Sequence, residues 1–521
     1  MKSHHLRTLR IIVAGLFFVS LFLIFVDLRS LIPAKYIQGL LYIQFVPSLL
    51  KYLNTAIIAV SSGFVLVLIL TLLSGRTYCS FICPMGIGQD IFSRIGGRVK
   101  KRFRRFGYRK ADNILRYIVL ITAVGVTIIW GIYVLTVLDP FSIFGRFMTF
   151  LGKPVFVSIN NFLSGILGKA GIYTLAHTQH RPFTLVMYSL PVLFFLISGI
   201  MAFTKGRLYC NTICPVGTLL GFVSKFSLLR INFDDSLCTR CGRCSMRCKS
   251  SCIDSINRKF DVSRCVGCFN CVNVCQEDAI SYSLVKFRRL KEPKTDESRR
   301  KIIVGSVMFL LGMRTFGATQ DKKAPKPKQA STIMEQRNYP VCPPGGISIE
   351  HFNTTCTACS LCISECPNGV LQPAFREYGL VGLMQPVMNY SKSFCSYKCT
   401  ICTEICPSYA LQPLKPEAKQ LTQIGKARFI KDNCIVKTER TNCGACSESC
   451  PTKAVYMIPF EGNLLIPAVN DEICVGCGHC EYSCPTSPYK AIYVDGNPVH
   501  IAALKPENSR PDIPALTEFP F

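Results

Sequence analysis

Cys238-Thr-Arg-Cys241-Gly-Arg-Cys244-Ser-Met-Arg-Cys248 and, shortly after it, Cys265-Val-Gly-Cys268-Phe-Asn-Cys271-Val-Asn-Val-Cys275 share one spacing, C-x2-C-x2-C-x3-C. Three closely spaced thiolates can wrap one iron–sulfur cube, and in two-cluster proteins the fourth, set apart, ligates the neighbouring cube. The spacing therefore predicts one 4Fe–4S cluster on Cys238, Cys241, Cys244 and Cys275. It predicts a second on Cys265, Cys268, Cys271 and Cys248. Zinc favours separated C-x2-4-C pairs, which a three-Cys run with a trailing fourth does not match. The Pro that usually follows the fourth Cys is replaced by Lys249 and Gln276, and Cys252 is close enough in sequence to stand in for Cys248.

Four related runs follow nearer the C-terminus: Cys356, Cys359, Cys362, Cys366; Cys395, Cys399, Cys402, Cys406; Cys434, Cys443, Cys446, Cys450; and Cys474, Cys477, Cys480, Cys484. Each ends in Cys-Pro, and together they supply ligands for four more clusters. Spacing leaves open whether the runs pair as neighbours or nest, first with fourth and second with third. Cys342 is left over and reads as an unligated thiol.

The 521 residues carry 30 Cys, a net charge of +29 and a mean hydropathy of +0.30. The apolar residues concentrate before residue 205 and the cysteines after it. The expected fold class is an α-helical membrane domain, four spans plus one short export or anchor helix, with α+β ferredoxin-like Fe–S domains on both sides. A span needs about 20 apolar residues. Ile11–Val26 (extendable through Leu28, Leu31 and Ile32), Thr55–Leu73, Tyr117–Leu138 and Phe183–Phe203 qualify. The densest basic run, Arg98 to Lys110, lies between two of them. That placement reads as the positive-inside bias of a membrane protein rather than as nucleic-acid binding. Lys2, Arg7 and Arg10 precede the first span, which has no cleavage site and reads as an anchor. The N-terminus and loop 76–116 are then inside, and loop 139–182 is outside.

The domains expected are a membrane domain, 1–205; a cytoplasmic two-cluster domain, 206–290; a twin-arginine signal or anchor helix, 291–318; a linker, 319–341; and a four-cluster domain outside the cytoplasm, 342–521. Ser298-Arg299-Arg300-Lys301 before a short, mildly apolar run reads as an internal export signal, with a short fifth helix as the alternative. Clusters are inserted in the cytoplasm, so a cluster domain must cross already folded.

The membrane part repeats itself. Gly75-Arg-Thr-Tyr-Cys79-Ser-Phe-Ile-Cys83-Pro84-Met-Gly86 matches Gly206-Arg-Leu-Tyr-Cys210-Asn-Thr-Ile-Cys214-Pro215-Val-Gly217. One Cys-x3-Cys pair cannot complete a four-thiolate site, but two pairs can. Cys79, Cys83, Cys210 and Cys214 are therefore expected to share a seventh cluster at the inner membrane face. A redox dithiol pair, a copper site and a purely structural corner are the alternatives. All seven histidines lie outside the expected spans, so the chain offers no bis-His haem within the bilayer. A quinol, a partner subunit or another cofactor must then carry electrons across the hydrocarbon. His177 and His180, beside Arg181 on the outer loop, could take quinol protons or be a solvated loop.

The two GRxYCxxxCP corners followed by a two-cluster domain resemble the NapH membrane ferredoxin family, with relatives in the NosR and CcoG groups. The region from Ser298, with its paired arginines, Pro343-Pro344-Gly345 and four cluster runs, resembles the NapG/MauM-type ferredoxins. Together they cover nearly the whole chain as a fusion. The resemblance implies a bacterial inner-membrane protein, multi-pass, with a cytoplasmic N-terminus and a periplasmic C-terminal domain. It implies quinol-linked delivery of electrons to a periplasmic redox partner, as a possible component of a quinol dehydrogenase. Its partners would be membrane lipid, the quinone pool and that redox protein, with no nucleic acid. Alternatives are a conduit outward from a cytoplasmic ferredoxin or flavoprotein, or a NosR/CcoG-like factor supplying electrons or copper handling for metalloenzyme maturation. No phosphate loop, catalytic triad or molybdenum-site pattern is present.

Overall fold

The computed structural model describes residues 3–28, 30–55, 62–99, 106–171, 173–180, 185–234, 236–284 and 331–505. The export signal and most of the linker lie outside these residues.

Among the described residues three helical stretches are long and apolar enough to cross a membrane: His5–Val26, Pro140–Lys169 and Met187–Lys205. The first helix stops at Val26 because the chain turns at Asp27, whose carboxylate accepts a bond from the backbone N–H of Ile32 at 2.9 Å. Of the expected second span, Thr55–Leu73, the helix Gly63–Ser74 is described; the helix Phe45–Thr55 precedes it, and residues 56–61 lie outside the described set. The expected third span is broken at Gly131, whose φ is +96°, into Asn113–Trp130 and Tyr133–Leu138. Glycine alone takes that conformation freely.

The largest departure from the sequence expectation is the stretch Pro140–Lys169, helical where an outer loop was expected. Asp139 starts it, its carboxylate accepting from the Ser142 N–H at 2.8 Å and hydroxyl at 2.7 Å, with Pro140 in the first turn. This is the arrangement that relieves unpaired donors at a helix start. A π-helical turn at Met148–Gly152 links its two α segments. Arg146 and Lys153 dilute its hydropathy within the stretch, and both are buried. Arg146 donates to the Thr136 carbonyl at 2.9 Å, and Lys153 reaches the carbonyls of Asp27 at 3.0 Å and Ser364 at 2.7 Å.

The first Cys-rich unit is closed by antiparallel strands Leu229–Phe233 and Ile280–Leu284, with Ile231 opposite Tyr282. Two short helices, Arg243–Arg247 and Asn270–Val274, start inside the Cys runs and end at Cys248 and Cys275. Its small core is Cys244, Cys248, Cys252 and Cys271 packed with Ile231, Ile253, Val272 and Ile280. The C-terminal unit holds three more two-stranded sheets. Leu371–Pro373 pairs with Pro386–Met388, Thr422–Phe429 with Ile492–Ala502, and Val455–Pro459 with Leu465–Val469.

These two units meet opposite ends of the helix Ser3–Val26. Near its start, Arg10 pairs with Asp90, and Lys249 of the first unit pairs with the same carboxylate at 3.3 Å. Near its end, the Phe25 carbonyl accepts from the Ser364 hydroxyl at 2.7 Å, and Phe25 packs in one cluster with Cys359, Leu361 and Ile405. At 1.5 Å per residue, Arg10 and Phe25 are about 22 Å apart along the axis.

Candidate iron–sulfur cluster sites

In the four runs with strict x2 spacing, the residues on either side of the second Cys have positive φ: Arg240 and Gly242, Gly267 and Phe269, Ala358 and Ser360, Gly476 and Gly478. Two left-handed residues flanking one Cys curl the chain into a cup whose N–H groups face inward, a shape suited to an anion. Arg240, Phe269, Ala358 and Ser360 adopt it without glycine's freedom, at a conformational cost.

In the first unit Cys238, Cys241, Cys244 and Cys275 line one cavity of about 160 Å³. Sulfurs spread around a cavity suit a cube of iron and sulfide, whereas a single zinc needs thiolates converging on a point. Among the described residues no three Cys, His, Asp or Glu side chains converge in that way. Cys271 lies within electrostatic range of Cys265, Cys268 and Cys248, which places the second set together. Cys252 stands beside it, its sulfur 3.4 Å from that of Cys248.

The C-terminal runs pair as neighbours. Cys356, Cys359 and Cys362 gather with Cys406, and Cys395, Cys399 and Cys402 with Cys366. Cys434, Cys443, Cys446 and Cys484 line a common small cavity, and Cys474, Cys477 and Cys480 gather with Cys450. In every pair each run lends its fourth Cys to the other. Burial pushes the thiols of Cys244 up to about 11 and of Cys446 and Cys477 up to about 12. Iron must displace those protons, so loading the sites releases acid. The Cys342 thiol is fully buried, and burial raises it too; it packs beside Cys356 as a fifth thiol next to the Cys356, Cys359, Cys362 and Cys406 set.

The two corners come together. Cys79, Cys83, Cys210 and Cys214 are all buried in one cluster, with Val266 and Cys268 of the first unit in the same core. Cys214 lies within electrostatic range of the other three. The arrangement is a pseudo-two-fold. Arg76 Nη2 donates to the Cys210 carbonyl at 3.0 Å, and Arg207 Nη1 to the Cys79 carbonyl at 2.5 Å. A Cβ at Gly86 would overlap the Cys79 carbonyl, and one at Gly217 the Cys210 carbonyl. Each corner thus needs a glycine seven residues after its first Cys so that the next helix can start against it.

Asp90 ties this centre to its surroundings. It holds Arg207 at 2.9 Å, Lys249 at 3.3 Å and Arg10. Burial alone would raise its carboxyl, but the three cations outweigh that and hold it well below the usual carboxylate range. No local pattern in the sequence announces this hub, because its four members come from four separate segments.

Among the histidines, His180 lines a cavity of about 420 Å³ with Asp27, Lys153 and Glu365, next in sequence to Cys366. His177 is exposed elsewhere on that loop. His479 Nδ1 lies 3.2 Å from the Cys477 sulfur, a contact to a candidate ligand that spacing could not disclose.

A family model described as a 4Fe–4S binding domain matches residues 56–102 and 186–233, the two corners. Models described as 4Fe–4S dicluster domains match 439–487 and 261–370. The last joins runs across the linker that the structure assigns to different pairs. The uncharacterized protein MJ0749 of Methanocaldococcus jannaschii is 25% identical over 44% of this chain and 72% of its own. The ferredoxin-type protein MauM of Methylobacillus flagellatus is 27% identical over 33% and 69%. The ferredoxin-type protein NapF of Escherichia coli is 30% identical over 26% of this chain and 73% of its own. No solved structure matches the chain. Curled Cys loops in exchanged pairs, 4Fe–4S matches on both halves and this likeness to NapF together show that the chain belongs to the ferredoxin-type 4Fe–4S proteins, as a polyferredoxin that carries electrons.

Proposed function

We propose that this polyferredoxin sits in a bacterial inner membrane and passes electrons from quinol to a redox protein outside the cytoplasm. Six clusters on the ferredoxin-type runs, and a seventh shared by Cys79, Cys83, Cys210 and Cys214, would supply one-electron redox chemistry. The observation that carries the quinol reading is the cavity lined by His180, Asp27, Lys153 and Glu365. Leu28, Pro154 and Val157 also line it, the last two in the first turns of the helix Lys153–Lys169, so it offers an apolar side to a quinol. Glu365, held by Lys153 at 3.2 Å, can accept from a quinol hydroxyl, while exposed His180 can take a proton to water. Glu365 and Pro367 line the cavity on either side of Cys366, so a ring bound there is adjacent to a cluster ligand.

Menaquinol added to the anaerobic, oxidised protein should bleach its cluster absorbance, and His180→Ala with Lys153→Met should slow that bleaching at unchanged iron. Bleaching unaffected by both changes, or absent in the wild type, would exclude this cavity as the quinol site.

A further inference from the structure

Sequence reasoning leaves a gap in the hydrocarbon between the two Cys-rich units. The structure fills it with packed protein. On the inner side the corner touches the first unit directly: a Cβ at Gly267, between Cys265 and Cys268, would stand 3.1 Å from Thr77. On the outer side each corner extends a tyrosine from the residue before its first Cys. The Tyr209 hydroxyl donates to the Leu138 carbonyl at 2.9 Å, and that of Tyr78 to Gln44 at 3.2 Å. Leu138 leads through Asp139 into the helix Pro140–Phe147. Ile143 on this helix packs in the corner core, and Phe141 and Phe144 pack with Cys359. Gly145 lies so close to Cys359 that a Cβ there would overlap its carbonyl. Thr149 then donates to the Ser360 carbonyl at 3.2 Å. The helices leaving Gln44 bind the same unit elsewhere, Gln38 to the Glu404 carbonyl at 2.5 Å and Asn54 to that of Ser408 at 3.4 Å. These contacts bracket Cys406, the Cys that completes the set of Cys359.

We propose that the four corner thiols, Tyr209, segment 138–147 and the Cys359 loop form one protein-held route for single electrons between the two Cys-rich units, with the corner as its middle station. No diffusible carrier is then needed between them. Each step moves one electron from a reduced to an oxidised site, with no atom or proton transferred. The proposal rests on the corner holding a cluster, and it goes further by making that cluster a bridge across the bilayer rather than an inner-face terminus.

The full chain, purified free of quinone, can be placed in liposomes with ferricyanide entrapped and dithionite outside as the electron source. The wild type should reduce the entrapped ferricyanide without added quinone. A Cys79→Ser, Cys210→Ser variant should lose about four iron per chain, one cube, and lose that transfer. Gly145→Val should transfer more slowly, because its side chain pushes the backbone of Cys359 away while every ligand thiol stays in the chain. If the double variant keeps its iron, the corner holds no cluster and both readings fall. If its iron falls but transfer persists, the cluster reading stands and the bridge is overturned. Transfer by the wild type only after quinone is added overturns the bridge as well.

Discussion

Arg76 donates from Nη2 to the carbonyl oxygen of Cys210, 3.0 Å away and in the other corner of the repeat. Its counterpart Arg207 returns the bond to Cys79. Both guanidiniums are buried. The exchange explains why the GR pair precedes each Cys: the arginine of one corner is spent on fixing the backbone of the other, so neither half of the site is formed alone. Arg76 is pinned further by Asn211 and the Ser263 carbonyl, each at 2.9 Å, which joins the corner to the first Cys-rich unit.

Four thiolates around a cluster leave a negative centre, and buried arginines beside it favour adding an electron less unfavourably than an apolar wall would. Arg76→Gln keeps a donor and removes the charge. The corner cluster should keep its iron, and its reduction potential should fall by on the order of 100 mV, since a unit charge at short range and an effective dielectric of about 20 is worth a few kcal/mol. A spectroscopic redox titration measures this. An unchanged set of potentials would mean that Arg76 serves packing alone.

The exchange of fourth cysteines assigns Cys402 and Cys406, of one run, to different clusters. Cys366→Ser should disturb the cluster of Cys395, Cys399 and Cys402, and Cys406→Ser that of Cys356, Cys359 and Cys362. Combining Cys406→Ser with Cys359→Ser should then cost no more clusters than either alone, whereas combining it with Cys402→Ser should cost two. Iron and sulfide counts on these variants, Cys359→Ser alone among them, decide it.

The cysteine runs were legible because cluster ligation is a local demand: a three-Cys loop must curl, and spacing reports the curl. The partner of each run was not, since every run offers the same fourth thiol and only tertiary contacts such as that of Cys406 with Cys356 choose among them. The helix Pro140–Lys169 was hidden for a related reason. Arg146 and Lys153 lower its hydropathy in the sequence, yet their partners at Thr136, Asp27 and Ser364 cancel that cost in the fold. The repeat announced the corners. Nothing local announced that Asp90 would hold three cations or that Gly145 would meet Cys359.

His500 gives the C-terminal unit a pH dependence. It is on strand Ile492–Ala502, burial lowers its imidazole to about 4, and neither ring nitrogen has a hydrogen-bond partner among the described residues. Unfolded, it titrates at about 6.5. Folding therefore holds it neutral, and the associated stability is whole above pH about 6.5 and lost as pH falls towards about 4. The unit should be weaker by about 2 kcal/mol at pH about 5 than at neutrality. His500→Phe should remove that difference. Hydrogen exchange across strands Thr422–Phe429 and Ile492–Ala502, wild type against variant at both pH values, separates it from acid damage to the clusters.

The last expectation concerns how the two units reach opposite ends of one helix. The first unit meets Arg10 through Lys249 and Asp90, and the second meets Phe25 through Ser364. If the helix crosses the bilayer, the second unit has to be delivered to the far side with its thiols already loaded, because iron–sulfur assembly takes place where thiols are kept reduced. A threaded, unfolded chain would arrive without clusters. Arg299 and Arg300, ahead of the short apolar run that ends at Met313, are the residues that a folded-protein export route would read. Replacing both by Lys keeps the charge and removes the paired guanidiniums. A protease-accessibility assay on intact spheroplasts should then show residues 342–521 inside or degraded, with the first unit still membrane-bound. If the second unit remains outside and holds its iron in the Lys variant, its crossing does not depend on the arginine pair, and the short apolar run is an ordinary helix.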